Sequence, residues 1–483
     1  MALWRSTVIV SAMTMLSRVL GLVRDIVLLN VFGAGKDFDT FVVAFRIPNF
    51  FRRLFAEGAF SQAFIPVLTE YKTGRTHAEV QILISRVFGC LMTVMTALTF
   101  IAMVAAPAVL YIYAPGFHAD PEKFDLAVSM FRLTIPYLLF MSLTAFASSI
   151  LNSYGSFASP AFSPVLLNVA MIAGAWWLTP YMAEPIMALG WAVIAAGVLQ
   201  LAIQIPELWH KKLLIPPKVD FKHEGVDRIM KLMLPALFGV SVTQINLLLN
   251  TIWASFMQDG SVSWLYSAER MTELPLGLIG VAIGTVILPA LSTRHAEQDM
   301  SKFRGMMDWA AKVIVLVGVP ASIALFMLST PIIQALFQRG QFTIEDTQMT
   351  ALALQCMSAG VISFMLIKVF APGFYAQQDT KTPVRVGLMA VAANAILNVV
   401  FIGFFKLIDW QAEHMALALA SSGSALVNAG MLYFYLHKRD IFRFGAHWKK
   451  LFIQFGISNA VMIVVLWYAL TWYNGDVSQW IRV

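Results

Sequence analysis

Apolar stretches long enough to cross a lipid bilayer follow one another along this whole chain. About 20 apolar residues span the hydrocarbon core as a helix. On that ruler the sequence divides into roughly thirteen spans, near 6–32, 38–70, 82–113, 126–152, 160–179, 184–207, 224–257, 261–292, 302–337, 344–373, 382–404, 412–437 and 446–473. In lipid every backbone N–H and C=O must be paired within the structure, which leaves only helices and closed barrels. Barrel strands alternate apolar and polar residues over about ten positions. These runs are continuous, which excludes a barrel. Of 483 residues, 59% are hydrophobic and 13% charged, with mean hydropathy +0.73; soluble chains carry about a quarter charged residues. The expected fold class is an all-α polytopic membrane protein.

The connecting loops set the orientation. One set holds Lys72, Arg75, Lys211, Lys212, Lys218, Lys222, Arg294, Lys302, Arg304, Lys381, Arg385, Lys438, Arg439 and Arg443. The other holds only Lys36, Lys123, Arg339 and Lys406. Positive loops stay on the cytoplasmic side, so the N-terminus is expected inside, and an odd span count puts the C-terminus outside. The same bias accounts for the formal net charge of +7 without nucleic acid. Arg5 and the apolar run after it resemble a signal peptide, but no small-residue cleavage site follows cleanly and the segment continues to Val31, so it reads as a retained first helix. Cys90 and Cys356 lie in different apolar segments and read as buried thiols. The histidines show no zinc spacing. No GxxxxGK[ST] loop is present, so ATP hydrolysis by that route is not expected. Driving force would come from an ion gradient, the membrane potential or the substrate gradient.

A faint repeat runs through the chain. FIPVLTEY (64–71) resembles ILPALSTR (287–294), AFRIPNF (44–50) sits where SAERMTE (267–273) sits, and SFASPAF (156–162) resembles DTKTPVR (379–385). The pairs lie about 223–225 residues apart, an interval holding six helices, and an even number preserves orientation. The expected organisation is a six-helix lobe at 1–207, a basic linker at 208–223 (WHKKLLIPPKVDFKHE from Trp209), a second six-helix lobe at 224–437, and at least one extra helix in 438–483. The linker reads either as an amphipathic cytoplasmic segment at the membrane surface or as a contact for a partner or lipid headgroups.

Charges inside the spans carry the functional signal. A charge at bilayer depth costs at least roughly 2.5–3.5 kcal/mol, so it faces protein or a watery cavity. In the first span Arg18 and Asp25 share a helical face with Thr14 and Gly21, and Arg24 is adjacent; either arginine can pair with Asp25. The second span, from Asp39, carries Arg46, Pro48, Asn49, Arg52, Arg53 and Glu57. Pro48 removes a backbone donor and kinks the helix, and polar groups near a break suggest a substrate site. Arg52 and Arg53 alternatively snorkel to an interface. In the eighth span Ser263, Tyr266, Arg270 and Glu273 form one stripe ahead of Pro275, and Arg270 with Glu273 is either a self-contained pair or a ligand contact. Arginine forks suit phosphate, since two donors meet two oxygens. Asn246, Asn250, Asn394, Asn398 and Asn428 read as interhelical hydrogen-bonding groups or as oxygen ligands for a cation such as sodium.

SAMTMLSRVLGLVRD (11–25), FGAG (32–35), PNFFRRLFAEGAFSQAFIPVL (48–68), GSVSWLYSAERMTELPLG (260–277) and APGFYAQQDTKTP (371–383) together resemble the MurJ/MviN family of lipid II flippases, within the multidrug and polysaccharide-lipid exporter group. The resemblance implies two pseudo-symmetric six-helix lobes around a central cavity, with further C-terminal helices forming a groove for a lipid tail. It implies transport and not catalysis: lipid II, an undecaprenyl pyrophosphate bearing a disaccharide-peptide, moves to the periplasmic leaflet by alternating access for cell-wall synthesis. Coupling to membrane potential or a monovalent cation is implied, with no other cofactor, in the bacterial inner membrane. Cell-wall synthesis proteins are candidate partners. Family functional arginines match Arg18, Arg24, Arg52 and Arg270, and further family positions match Asp25, Asp39, Asn49, Ser263 and Glu273. Such families carry fourteen spans, and the sequence stops at SQWIRV, where the last is expected.

Overall fold

The computed structural model of the chain describes residues 2–52, 60–277 and 281–473. The chain packs into two compact units, Met1–Val262 with Gly340–Phe342, and Ser263–Arg339 with Thr343–Val483. The described residues are helical or lie in short connections, and no strand occurs among them.

The first unit holds α1 (Ala2–Phe32), α2 (Lys36–Phe51), α3 (Phe60–Gly74), α4 (His77–Val104), α5 (Ala106–Tyr113), α6 (Pro121–Thr134), α7 (Tyr137–Ser153), α8 (Ala158–Ala173), α9 (Met187–Ala202), α10 (Ile205–His210) and α11 (Glu224–Ala254). The second is formed from α12 (Ser261–Pro275), α13 (Val281–Ala296), α14 (Met300–Met327), α15 (Ser329–Phe337), α16 (Ile344–Tyr375), α17 (Lys381–Leu407), α18 (Met415–Lys438) and α19 (Ala446–Tyr473). Among the described residues nine helical stretches are long and apolar enough to cross a membrane. The other four expected spans, 6–32, 38–70, 224–257 and 261–292, are α1, α2 with α3, α11, and α12 with α13. These four carry most of the intramembrane charges singled out above.

Helix starts lie where capping chemistry puts them. Thr76 and Glu79 form a capping box ahead of α4, as Thr343 and Asp346 do ahead of α16. Asp120 caps α6 and Asp299 caps α14. Each cap satisfies backbone donors that the helix leaves open and contributes about 1 kcal/mol.

The repeat is visible in the element order. Met300 follows His77, Ser329 follows Ala106, Ile344 follows Pro121 and Lys381 follows Ala158 by the same interval, about 223 residues. Pro48 lies inside α2 and Pro275 is the last residue of α12.

Each unit has its own core. Phe64, Leu68, Leu83, Phe146, Ile150 and Leu208 are buried together in the first. α11 joins this core through Val226 and Ile229, and the ion pairs Arg75–Glu224 (3.2 Å) and Arg228–Glu70 (2.8 Å) fasten its start. In the second unit, Phe303, Ile314, Met365, Phe370, Phe374 and Leu436 are buried together. Small residues let its helices touch. A Cβ on Gly360 would stand 2.7 Å from Ser422 Oγ, and the Ser422 hydroxyl donates to the Cys356 carbonyl at 2.8 Å. Such close backbone approach with interhelical hydrogen bonds is how helices associate in lipid, where apolar burial gives no drive. Both cysteines are buried and free, as their positions predict.

Candidate functional site

In the first unit α1 lies against α8. Arg24 Nε donates to Asp25 Oδ1 at 2.9 Å and Nη2 donates to the same oxygen at 2.6 Å. Arg24 Nη1 donates to Asn168 Oδ1 of α8 at 3.1 Å, and Asn168 Nδ2 donates back to the Ser17 carbonyl at 2.9 Å. Arg24 is 8% exposed and Asp25 1%. Of the two arginines able to pair with Asp25, Arg24 does so. Arg18 is exposed on α1, with no ion pair or hydrogen bond among the described residues. The buried pair, with an amide from a second helix, fixes the guanidinium plane.

Along α2 the polar groups divide into three sets. At the C-terminal end of the helix, Arg52 Nε donates to Asn49 Oδ1 at 2.8 Å, joining two residues that the spacing put on adjoining faces. In mid-helix, Arg46 is buried and its Nη1 donates to Thr251 Oγ1 of α11 at 2.8 Å. It thus ties α2 to α11. At the start of the helix, Asp39 is buried (1% exposed) and faces Lys123 Nζ at 3.3 Å. The cation that meets it there is a lysine. Arg53 and Glu57 lie outside the described residues.

Lys123 and its neighbours were not singled out by the sequence. Lys123, 4% exposed in the first turn of α6, also meets Asp259 Oδ1 at 2.5 Å and lies over the Phe117 ring at 4.2 Å. The Gly260 N–H donates to Asp39 Oδ2 at 2.8 Å. Beside it the Gly116 N–H donates to Ser255 Oγ at 3.0 Å, where any Cβ on residue 116 would overlap the Ser255 carbonyl. The result is a latch at the side predicted to be outer, joining the start of α2, the start of α6 and the turn that leads into α12. Replacing Lys123 by Met removes the cation facing a buried carboxylate, a change that costs about 3–5 kcal/mol. Thermal unfolding of the purified chain should show that loss, with most of it recovered in Lys123→Met/Asp39→Asn; an unchanged melting curve for Lys123→Met would contradict the latch.

In the second unit Ser263 is buried in the first turn of α12, and Ser267 Oγ donates to its carbonyl at 2.8 Å. Two turns on, Arg270 Nη1 meets Glu273 Oε2 at 2.9 Å, the i, i+3 pair that the spacing predicts. Both side chains are partly open, 30% and 48% exposed. Trp264 Nε1 donates to Asp346 Oδ1 at 2.9 Å, anchoring the same helix to α16.

The second unit also carries a clasp beside the 371–383 motif. Asp379 Oδ2 accepts from Thr382 Oγ1 (2.6 Å) and meets Arg439 Nη2 (2.8 Å), while Oδ1 accepts the Thr382 N–H (3.0 Å). Burial pushes the Asp379 carboxyl upward, but the bonds from Thr382 and Arg439 outweigh it and hold the group at about 2, below its ordinary 3.8. A depressed carboxylate contributes stability above its unfolded value and loses it as pH falls through the folded one. Unfolding temperatures followed downward should therefore decline between about pH 4 and pH 2, and Asp379→Asn should lose that component; an identical decline in both proteins would contradict the clasp.

A family profile described as "Lipid II flippase MurJ" matches residues 28–482. The "Probable lipid II flippase MurJ" of Vibrio cholerae is 44% identical over 488 aligned residues, covering 99% of this chain and 92% of the relative. The chain belongs to the MurJ lipid II flippase family. The "Lipid II flippase MurJ" of Burkholderia cenocepacia is 41% identical, covering 94% of this chain and 87% of its own length. The structure is similar to that of a lipid II flippase MurJ in an inward closed conformation, with TM-score 0.81 at 27% identity, covering 96% of this chain and 93% of that one. An inward-facing MATE-family multidrug transporter of the MOP superfamily aligns with TM-score 0.70 at 12% identity, covering 89% of this chain and 97% of its own, which shows shared fold alone. The chain is therefore a multi-pass membrane protein of transporter fold, and the resemblance carried by its motifs holds over nearly its whole length.

Proposed function

We propose that this chain is a lipid II flippase. It moves the undecaprenyl-pyrophosphate-linked disaccharide-peptide from the cytoplasmic to the periplasmic leaflet of the bacterial inner membrane, with its N-terminus in the cytoplasm. The observation that carries this reading is the family match over residues 28–482. The arginines add chemistry to it. A pyrophosphate headgroup cannot enter hydrocarbon unaided, since burying an unpaired charge is prohibitive. A hydrated cavity lined by guanidinium groups replaces its water with fixed charge.

In this reading the headgroup site alternates between the two membrane faces. Arg18, Arg24, Arg52 and Arg270, with Arg53, bind the phosphates. Asp25, Glu57 and Glu273 hold guanidinium groups in place, Asn49 orients Arg52, and Ser263 offers a polar contact at the far end of α12. Asp39, paired with Lys123, closes the outer side and does not touch the headgroup. Membrane potential or a monovalent cation supplies the drive, with no organic cofactor. The polyprenyl tail stays in lipid alongside the 438–483 region, and cell-wall synthesis proteins supply and consume the substrate. Complementation is the direct test: cells depleted of their own lipid II flippase should grow with this chain as sole copy. Failure to grow with the protein inserted at normal level would overturn the assignment.

A further inference from the structure

The 208–223 segment is not a slack connection. α10 ends in a Schellman turn, in which the Lys212 N–H donates to the Trp209 carbonyl (2.8 Å) and the Leu213 N–H to the Leu208 carbonyl (2.9 Å), with Lys212 left-handed at φ 57°. From there the backbone runs along α4. Gln81 Nε2 donates to the Lys212 carbonyl at 2.7 Å, Ser85 Oγ to the Pro216 carbonyl at 2.6 Å, and the Lys218 N–H to the Ser85 carbonyl at 3.1 Å. Gly89 makes room for it, because a Cβ there would overlap the Lys218 carbonyl. Leu208 and Leu213 are buried in the core, and Asp220 reaches Arg86 at 3.7 Å. The segment is a strap fixed along one side.

Its other side combines two kinds of group that water and hydrocarbon each serve badly. Trp209, Leu214, Val219 and Phe221 are exposed. Lys212, Lys218 and Lys222 are exposed and Lys211 is half-buried, and among the described residues none of the four forms an ion pair. The position of the strap identifies the medium. At 1.5 Å per residue α4 is about 42 Å long, against a hydrocarbon core of roughly 30 Å. Its uncharged apolar run after Arg86, residues 87–104, is about 27 Å long and fills that core, so Gln81, Ser85 and Arg86, which hold the strap, lie at headgroup depth. There, tryptophan and aliphatic side chains insert while lysines reach phosphate.

We propose that the strap is a binding site for anionic phospholipid headgroups of the leaflet it borders, with Lys211, Lys212, Lys218 and Lys222 meeting phosphate while Trp209, Leu214, Val219 and Phe221 enter the interface. The site is separate from the intramembrane arginines and stands on the chain spanning a membrane, whatever substrate it moves.

The test uses the full chain reconstituted in equimolar phosphatidylglycerol and phosphatidylcholine, with retained lipids counted by native mass spectrometry. K211Q/K212Q/K218Q/K222Q should lower the glycerol-to-choline ratio by at least about fivefold, the effect expected of a single interfacial lysine. K302Q/K381Q/K438Q/K449Q, with the same change in net charge, should lower it far less. Brominated phosphatidylglycerol should also quench the emission lost in Trp209→Phe more strongly than brominated phosphatidylcholine does. An equal fall in both quadruple variants, or an unchanged ratio in the strap variant, would overturn the proposal in favour of unspecific attraction to a basic face.

Discussion

Cells that rely on this chain are expected to stop growing when Arg24 is replaced by alanine. Two effects combine in that result. Asp25 is almost wholly buried and takes two donors from Arg24, so removing the guanidinium leaves a buried carboxylate without its cation, a loss of about 3–5 kcal/mol. Lost stability alone would explain a failed variant, so the pair must be separated. Arg24→Ala/Asp25→Asn removes the buried charge with its partner and should restore the protein to near-normal level and melting temperature. If Arg24 binds phosphate as proposed, it should still not transport, because the guanidinium fork is gone. Arg24→Lys keeps the charge but not the planar donors that reach both Asp25 and Asn168, and should be strongly impaired. Growth supported by the double variant would remove Arg24 from the site and leave it a structural residue.

Arg270→Ala should give the same loss of growth by a cleaner route. Its pair with Glu273 is partly exposed on both sides, and pairs of that kind contribute about 0–1 kcal/mol. The variant should insert, accumulate and melt like the parent. A hydrogen bond to a charged group contributes about 1.5–3 kcal/mol, so binding of the pyrophosphate headgroup should weaken between about tenfold and about 150-fold. Glu273→Gln leaves the cation in place and should cost far less. Equal transport by Arg270→Ala and the parent, measured at matched protein levels, would contradict a phosphate-binding role.

The helices were legible because the bilayer forces them. A run of about 20 apolar residues has few other folds available, and all thirteen expected spans correspond to helices or helix pairs of the structure. Pairings inside one helix were legible too, since Arg270 and Glu273 are three residues apart. Partners between helices were not. Asn168 lies 144 residues from Arg24 and Thr251 lies 205 from Arg46, and helical periodicity describes one element at a time. An asparagine within the apolar α8 was the available signal, since polar groups at that depth need a partner. Lys123 was hidden by its loop position, where charge counting treats it as solvated. The buried Asp39 at the start of α2 called for a cation, and nothing in the linear sequence says which.

The most direct measurement is lipid II exposed on the outer leaflet of cells whose own flippase is depleted, supplied with this chain or with its Arg24→Ala/Asp25→Asn or Arg270→Ala variants at equal level. The account predicts that the parent chain restores exposure and that neither variant does. Exposure restored equally by the variants would contradict the cationic site, and no exposure with the inserted parent chain would contradict the assignment of lipid II as its substrate.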